Sequence, residues 1–473
     1  MSVGDELVRL TATEAVARLR RREISPLELI DAAAARIEAV DGKVNALPIR
    51  FFDIARARAR QFMAQKPPAD PPPGWLAGLP LAAKDYNDVA GQRTTFGSPI
   101  FAESVAQAND HTVATLESSG GIFMAKSNVP EFAGSNTFNP VFGATRNPWN
   151  QKMTAGGSSG GAAAALASGT QWLAMGSDLG GSLRIPASYC SIVGLRPSPG
   201  RVPRGAGLPA FDSLWVEGPM ARNVPDLALM LDALSVQRPH DPLSMPAPRV
   251  PFVEAMREAR PPRRVGFTPD LGLSNVDPEV AAICRAAAGR FTRMGTVVED
   301  ASPDFSNAIE TFQVQRGLMF AALRGELLKA ERARIVPSID WNIEKGHNLT
   351  ADEIIRAERE RTALYHRVAA WFETYDLLLC PVVAVPPYPV EQAYPTRIGD
   401  QDLTSYIDWM FLTFAVTLTG CPALSLPCGF TRGGMPVGLQ IIGPTHADAA
   451  VIAAASLLEQ DFGIAPRLPV DPA

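Results

Sequence analysis

Between about Gly78 and Leu234 the chain alternates short apolar runs with helical stretches, and no other feature restricts the possible fold as much. Leu79-Pro-Leu-Ala-Ala83, Gly121-Ile-Phe-Met-Ala125 and Trp172-Leu-Ala-Met175 are such runs. With helices between them they read as strands of a buried, mixed sheet. Two later segments return to strand character, Asp376 to Val385 and Pro436-Val-Gly-Leu-Gln-Ile-Ile442. The end of the chain should therefore close the sheet that the early residues begin. The expected fold is α/β: a single large mixed β-sheet core covered by helices on both faces, with a helical excursion.

The flanks fit that frame. Thr11-Ala-Thr-Glu14 and Ser25-Pro-Leu-Glu28 are capping boxes, in which hydroxyl and carboxylate reciprocally satisfy orphan backbone donors. Behind the second, Leu27, Ile30, Ala34, Ile37 and Val40 form an amphipathic stripe. Prolines 67, 68, 71, 72 and 73 make a stiff connection, a second Pro-rich stretch spans Pro239 to Pro262, and 277–375 reads as largely helical. Four regions are expected: a helical 1–66 packing on the core, a core at 76–237 bearing the glycine-rich loops, a largely helical 238–375, and 376–473 completing the same sheet.

Composition excludes several classes. The chain is 46% hydrophobic and 20% charged with net charge −5, which fits a globular protein and offers no basic domain for nucleic acid. The one dense basic cluster, Arg18, Arg20, Arg21 and Arg22, reads as a solvated helix face. Five cysteines (190, 284, 380, 421 and 428) form no CxxC pair, and the histidines show no metal-binding spacing, so neither a disulfide framework nor a metal or other cofactor is expected. The N-terminus lacks a signal-peptide pattern, and the apolar window Leu412 to Phe430 is broken by Gly420, Pro422 and Pro427. A cytoplasmic protein with no membrane partner is expected.

The chemistry-bearing stretches are Gly156-Gly-Ser158-Ser159-Gly-Gly161 and Asp178-Leu179-Gly180-Gly181-Ser182, with Lys84 ending an apolar run. Glycine-rich loops let a backbone approach a ligand and free amide N–H groups for an anion. Gly156-x-Ser158-x-Gly160 mimics a nucleophile elbow, but Asn147 to Lys152 is a poor strand to precede one, and only His446 stands late enough to complete a triad. A phosphate cradle lacks its Gly-Lys-Ser/Thr ending. Tight turns explain one such loop more easily than two with embedded serines. Lys84 alone reads as a strand end snorkelling to water; buried, it would lose its proton readily and could serve as a base.

Taken together, Lys84-Asp85, Gly156–Gly161 and Asp178–Ser182 resemble the amidase-signature hydrolases. Asp88-Val-Ala-Gly91, Ser127-Asn-Val-Pro-Glu131, Arg184-Ile-Pro-Ala187, Gly194-Leu-Arg-Pro197 and Pro436–Gly443 extend the likeness over nearly the whole chain. The resemblance implies a Ser-cisSer-Lys triad. Ser182 is the expected nucleophile, Ser158, behind a cis Gly157–Ser158 bond, the relay, and Lys84 the base. The amides of Leu179, Gly180 and Gly181, with Ser182, are the expected oxyanion hole. Ser159, Asp178 and Arg184 are expected to hold the loops, and Phe132, Trp341 and Trp409, with Phe411, to line a substrate pocket that involves 238–375. Ser191 departs from the family pattern, where glycine is common. The implied activity is hydrolysis of a carboxylic amide, aryl amide, ester or carbamate. Its alternatives are the glutaminase (A) subunit of a tRNA-dependent amidotransferase and a catalytically silent binding protein on the same fold. A small-molecule amide is the expected partner, and a homodimer is compatible with the sequence.

Overall fold

The computed structural model describes residues 3–205, 207 and 209–473. Among them eleven strands form one mixed sheet. In chain order these are β1 (Ile49–Arg50), β2 (Pro80–Lys84), β3 (Ile122–Ser127), β4 (Leu173–Asp178), β5 (Val193–Arg196), β6 (Val216–Ala221), β7 (Arg264–Phe267), β8 (Val297–Asp300), β9 (Leu377–Pro381), β10 (Ala423–Phe430) and β11 (Pro436–Ile442). Across the sheet they run β1-β3-β2-β4-β6-β5-β10-β11-β9-β7-β8. β2 lies parallel to both β3 and β4, β4 is antiparallel to β6, and the late strands β9, β10 and β11 continue the same sheet.

Both faces of the sheet are buried, and one strand shows it. Along β9, Leu377 and Leu379 belong to one apolar core while Leu378 and Cys380 belong to a second. Because successive side chains leave a strand on opposite faces, each face must carry its own packed layer. The N-terminal helices α1 (Ala12–Arg20) and α2 (Pro26–Val44) supply part of the first core, and both start at the capping boxes read from sequence. Two short helices, α3 (Gly160–Ala167) and α4 (Arg184–Cys190), follow the two glycine-rich loops and are buried along their whole length. Ser191 caps α4 in the left-handed region at φ 58°, which is why glycine suits that position.

The second core lies beneath α5 (Ala308–Glu331), α6 (Pro337–His347), α7 (Ala351–Trp371) and α8 (Phe411–Thr419). Phe312, Phe320, Ile339, Ile343 and Leu364 of this layer share it with Phe132 and Leu179, beside the glycine-rich loops. The helical reading of 277–375 needs one correction, since the segment contains β8. That strand lies at the sheet edge, with Val297 52% exposed and Glu299 and Asp300 charged, so it shows no apolar run. The broken apolar window near the end is a helix followed by a strand. Gly420 caps α8 at φ 70°, and Pro427 sits at a register shift in β10, a bulge where its missing N–H is tolerated. No helix among the described residues is long and apolar enough to cross a membrane.

Candidate active site

Lys84 closes β2, and because β2 runs parallel to β4 their C-terminal ends open on the same edge of the sheet. Its side chain is fully buried, so it does not snorkel. Nζ donates to Ser158 Oγ at 2.8 Å, Ser159 Oγ at 2.8 Å and Ser177 Oγ at 2.9 Å, and it lies 4.9 Å from the Tyr86 ring centre. Among the described residues no carboxylate pairs with it. Burial brings the ammonium down from 10.5 to about 7, against the opposing pull of the Glu217 and Asp178 charges. A hydroxyl accepts from an ammonium and donates to an amine equally well, so three hydroxyl partners can serve Lys84 in either protonation state.

Ser158 and Ser159 sit at the entry to α3. The segment before them does form a strand, Asn150–Thr154, but it pairs with Arg146–Asn147 in a separate two-stranded ribbon rather than in the main sheet. The Gly157–Ser158 peptide bond is cis. A Cβ on Gly157 would stand 2.1 Å from the Ser135 carbonyl oxygen, so this close approach of two backbones admits only glycine. His446, in the turn after β11, donates its amide to Ser198 Oγ at 3.1 Å, and among the described residues no hydrogen bond joins it to Ser158.

The second loop is organised by Asp178 at the end of β4. One carboxylate oxygen accepts from Gly181 N–H at 2.9 Å and the other from Leu183 N–H at 3.2 Å. Arg184 Nη2 and Nε reach the same two oxygens at 2.8 and 3.0 Å, and Arg196 Nη1 adds a contact at 3.3 Å. Burial alone would raise this carboxyl, but the two guanidinium charges outweigh it and hold Asp178 ionised well below the usual carboxylate range. Arg184 continues to Gln440 Oε1 at 2.6 Å and the Thr413 carbonyl at 3.0 Å, tying the loop to β11 and α8. Gly181 is confined in turn, at φ 121° with Thr413 Oγ1 only 2.4 Å from where a Cβ would stand.

Ser182 is half-buried at the turn into α4, and its carbonyl accepts from Ser159 N–H at 3.3 Å, so the two loops are hydrogen-bonded to each other. The expectation for the loop amides changes at one position. Gly181 N–H is committed to Asp178, whereas the amides of Leu179, Gly180 and Ser182 carry no partner among the described residues.

A cavity of about 510 Å³ is lined by Tyr86, the ring that Lys84 stands over, and by Glu217, Trp215, Phe96, Phe132 and Arg324. Of the aromatic residues expected in a pocket, Phe132 lines it. Trp409 and Phe411 are buried elsewhere: Trp409 stacks on Tyr189 at 6.2 Å and donates to the Tyr406 carbonyl at 2.9 Å. Trp341 is 39% exposed and packs edge-on against Tyr406. Their apolar character reflects core and surface packing, which residue type alone does not distinguish from a pocket.

Sequence reading passed over two polar residues. Ser177 shares the Lys84 ammonium, and Glu217 stands directly opposite Ser177 in the β4–β6 register, so both side chains leave the same face. Glu217 accepts from Trp215 Nε1 at 3.3 Å through one oxygen, while its other oxygen has no partner among the described residues. Burial, helped by the Asp110 charge, raises its carboxyl to about 7. A signal was available: Glu217 interrupts the apolar run Trp215-Val-Glu-Gly-Pro-Met220, the same oddity that drew attention to Lys84.

Known proteins share this framework. The family model described as Amidase matches residues 28–452. An acylamidase of Rhodococcus erythropolis is 35% identical, with 98% of this chain and 97% of that one aligned. A glutamyl-tRNA(Gln) amidotransferase subunit of Moorella thermoacetica is 36% identical, over 96% and 97%. Among solved structures, a bacterial aryl acylamidase of the amidase-signature family superposes with a TM-score of 0.89 at 29% identity, over 98% of this chain and 99% of that one. The chain belongs to the amidase family, of the amidase-signature type, and is an amidohydrolase acting on carboxylic amides.

Proposed function

We propose that the enzyme cleaves its amide through an acyl-enzyme on Ser182, with Ser158 as proton relay and Lys84 as base. The observation that carries this reading is the state of Lys84: fully buried, without a carboxylate partner, hydrogen-bonded to Ser158, and titrating near 7. A base is most effective when its pKa lies near the working pH. Ser182 Oγ attacks the carbonyl carbon as its proton passes to Ser158 Oγ, and the Ser158 proton passes to Lys84 Nζ. The oxyanion is met by the free amides of Leu179, Gly180 and Ser182. Collapse expels the amine, which takes its proton back from Lys84 through Ser158, and water then releases the acid by the same relay.

A stand-alone acylamidase acting on an acyl or aryl amide fits the aromatic cavity better than a glutaminase component of an amidotransferase does. Tyr86, Phe96, Phe132 and Trp215 offer broad apolar faces to an acyl or aryl group, beside polar wall residues that include Asn87, Asp88, Asn109 and Asp110. All five cysteines are free thiols, which supports a reducing, cytoplasmic setting. The test is acyl-enzyme trapping with a slowly released aryl ester, followed by peptide mass spectrometry. Acylation on Ser182, lost in Ser182→Ala, is the expected result; acylation on Ser158 would reverse the two serine roles.

A further inference from the structure

The far wall of the cavity holds a cation, Arg324, without a counter-ion among the described residues. Arg324 lies on α5, where Met319, Phe320, Leu323 and Arg324 form one cavity-facing stripe. Its guanidinium lies 4.8 Å from the Phe132 ring centre and 5.6 Å from that of Phe96. Among the described residues it has no hydrogen bond and no carboxylate partner, and burial lowers its pKa from the ordinary value. Asp88, Asp110 and Glu217 also line the cavity, yet none pairs with Arg324. Asp110 is occupied by Val113 N–H at 2.9 Å and Asn87 Nδ2 at 2.6 Å, and Glu217 faces Lys84.

The platform under this guanidinium is built at a conformational cost. Phe96 and Phe132 both adopt left-handed backbone, at φ 53° and 44°, which bulky side chains rarely accept. The Phe132 amide donates to the Phe96 carbonyl at 3.0 Å, and the following Ala133 amide donates to Tyr86 Oη at 2.6 Å. Strained backbone of this kind gathers at ligand-holding positions. A guanidinium laid on aromatic faces keeps its N–H edge free, and that edge matches the two oxygens of a carboxylate.

We propose that Arg324 is a specificity-determining residue that receives a carboxylate on the substrate, so that the preferred amides carry an acidic group separated from the scissile bond by an aryl ring or a chain of similar reach. The separation follows from the ring contacts that lead from Lys84, behind the Tyr86 ring, to Arg324. Lys84 stands over Tyr86, Tyr86 stacks on Phe96 at 6.2 Å, and Arg324 covers Phe96. The idea rests on the Ser182 reading for turnover, but its anion site can be tested without turnover.

Matched para-substituted acetanilides and N-phenylbenzamides, neutral, carboxylated or bearing a quaternary ammonium, provide the substrates for wild type, Arg324→Met, Arg324→Lys and Arg324→Glu. Expected is a kcat/KM preference of at least tenfold for the carboxylated member in one series, carried mainly by KM. It should collapse to near unity in Arg324→Met, be retained in part by Arg324→Lys, and turn toward the ammonium in Arg324→Glu. Equal rates for neutral and carboxylated members, or a preference that survives in Arg324→Met, would overturn the proposal while leaving the amidase mechanism standing. If no member is turned over, calorimetric binding of the carboxylated amides decides: affinity weakened tenfold or more in Arg324→Met supports the site, and unchanged or absent binding refutes it.

Discussion

Two adjacent strands of the sheet each carry a fully buried lysine at or next to their C-terminal end, and the two lysines are housed in opposite ways. Lys126 on β3 is paired with Asp85 at 2.9 Å and donates to Thr94 Oγ1 at 2.7 Å and the Arg93 carbonyl at 2.8 Å. Lys84 on β2 meets three hydroxyls and no carboxylate. The β2–β3 register aligns Ala83 with Lys126, so the two ammonium groups leave the sheet on opposite faces. Asp85, one residue past Lys84, turns to the Lys126 side. Burial lowers both lysines, but at Lys126 the Asp85 charge opposes the change directly. One lysine is therefore held as a structural cation, and the other is kept able to give up its proton.

The widest separation between the two should appear in turnover. Ser182→Ala and Lys84→Met should each lower kcat/KM on the order of 10⁴-fold or more, as removal of one member of an interdependent catalytic set does. Lys126→Met, where it folds, should stay within about tenfold of wild type, since its partners lie on the other face. Steady-state assays at saturating and limiting substrate measure this. A Lys84→Met enzyme with near-native kcat would break the comparison outright.

Stability should separate them in the other direction. Below about pH 7 folded Lys84 carries a proton and the full cost of burying it. Above that pH the native state releases the proton, whereas the unfolded chain keeps it up to about 10.5, so this residue's contribution to stability improves across that window. Lys84→Met removes the burden at neutral pH and leaves three small hydroxyls to re-pair, so the fold should change by less than about 1 kcal/mol or gain. Lys126→Met strands the buried Asp85 carboxylate and should cost about 3–5 kcal/mol. Denaturant unfolding at pH 7 measures both; equal losses would erase the distinction.

This contrast also marks how far the sequence could be read. The buried strands ending in Lys84 and Asp178 were legible because apolar runs flanked by helices have few other uses, and the capping boxes because their hydrogen bonds are local. β8 was not, since an edge strand can be charged and exposed. Lys84, Ser158 and Ser182 could be named because they sit in ordered motifs. What surrounds Lys84 was set by cross-strand register: Ser177 and Glu217 stand 40 positions apart yet face each other directly. Trp341 and Trp409 lie outside the cavity that Phe132 lines, and an aromatic side chain carries no mark in the sequence of which cavity it faces.

Glu217 is where the comparison can be sharpened most finely, because it takes for Lys84 the part that Asp85 takes for Lys126, at longer range and only when ionised. Its carboxylate raises the Lys84 ammonium against the dominant effect of burial, and Asp178 acts in the same sense. The Lys84 charge in turn draws Glu217 down, while burial and Asp110 push it up to about 7 and Arg204 assists ionisation. Each proton state of one residue thus biases the other, and in wild type the acid limb of kcat/KM should spread over both groups near neutrality. Glu217→Gln keeps the shape and the Trp215 contact but removes the anion. The Lys84 ammonium then loses a stabilising charge, so the neutral amine persists to lower pH and the limb moves toward acid as a single one-proton step. The expected displacement is a fraction of a pH unit, small beside the effects above, but its sign is diagnostic. A Glu217 that served only packing would change the height of the profile and not its position, and a shift toward alkali would mean that the carboxylate favours the free base.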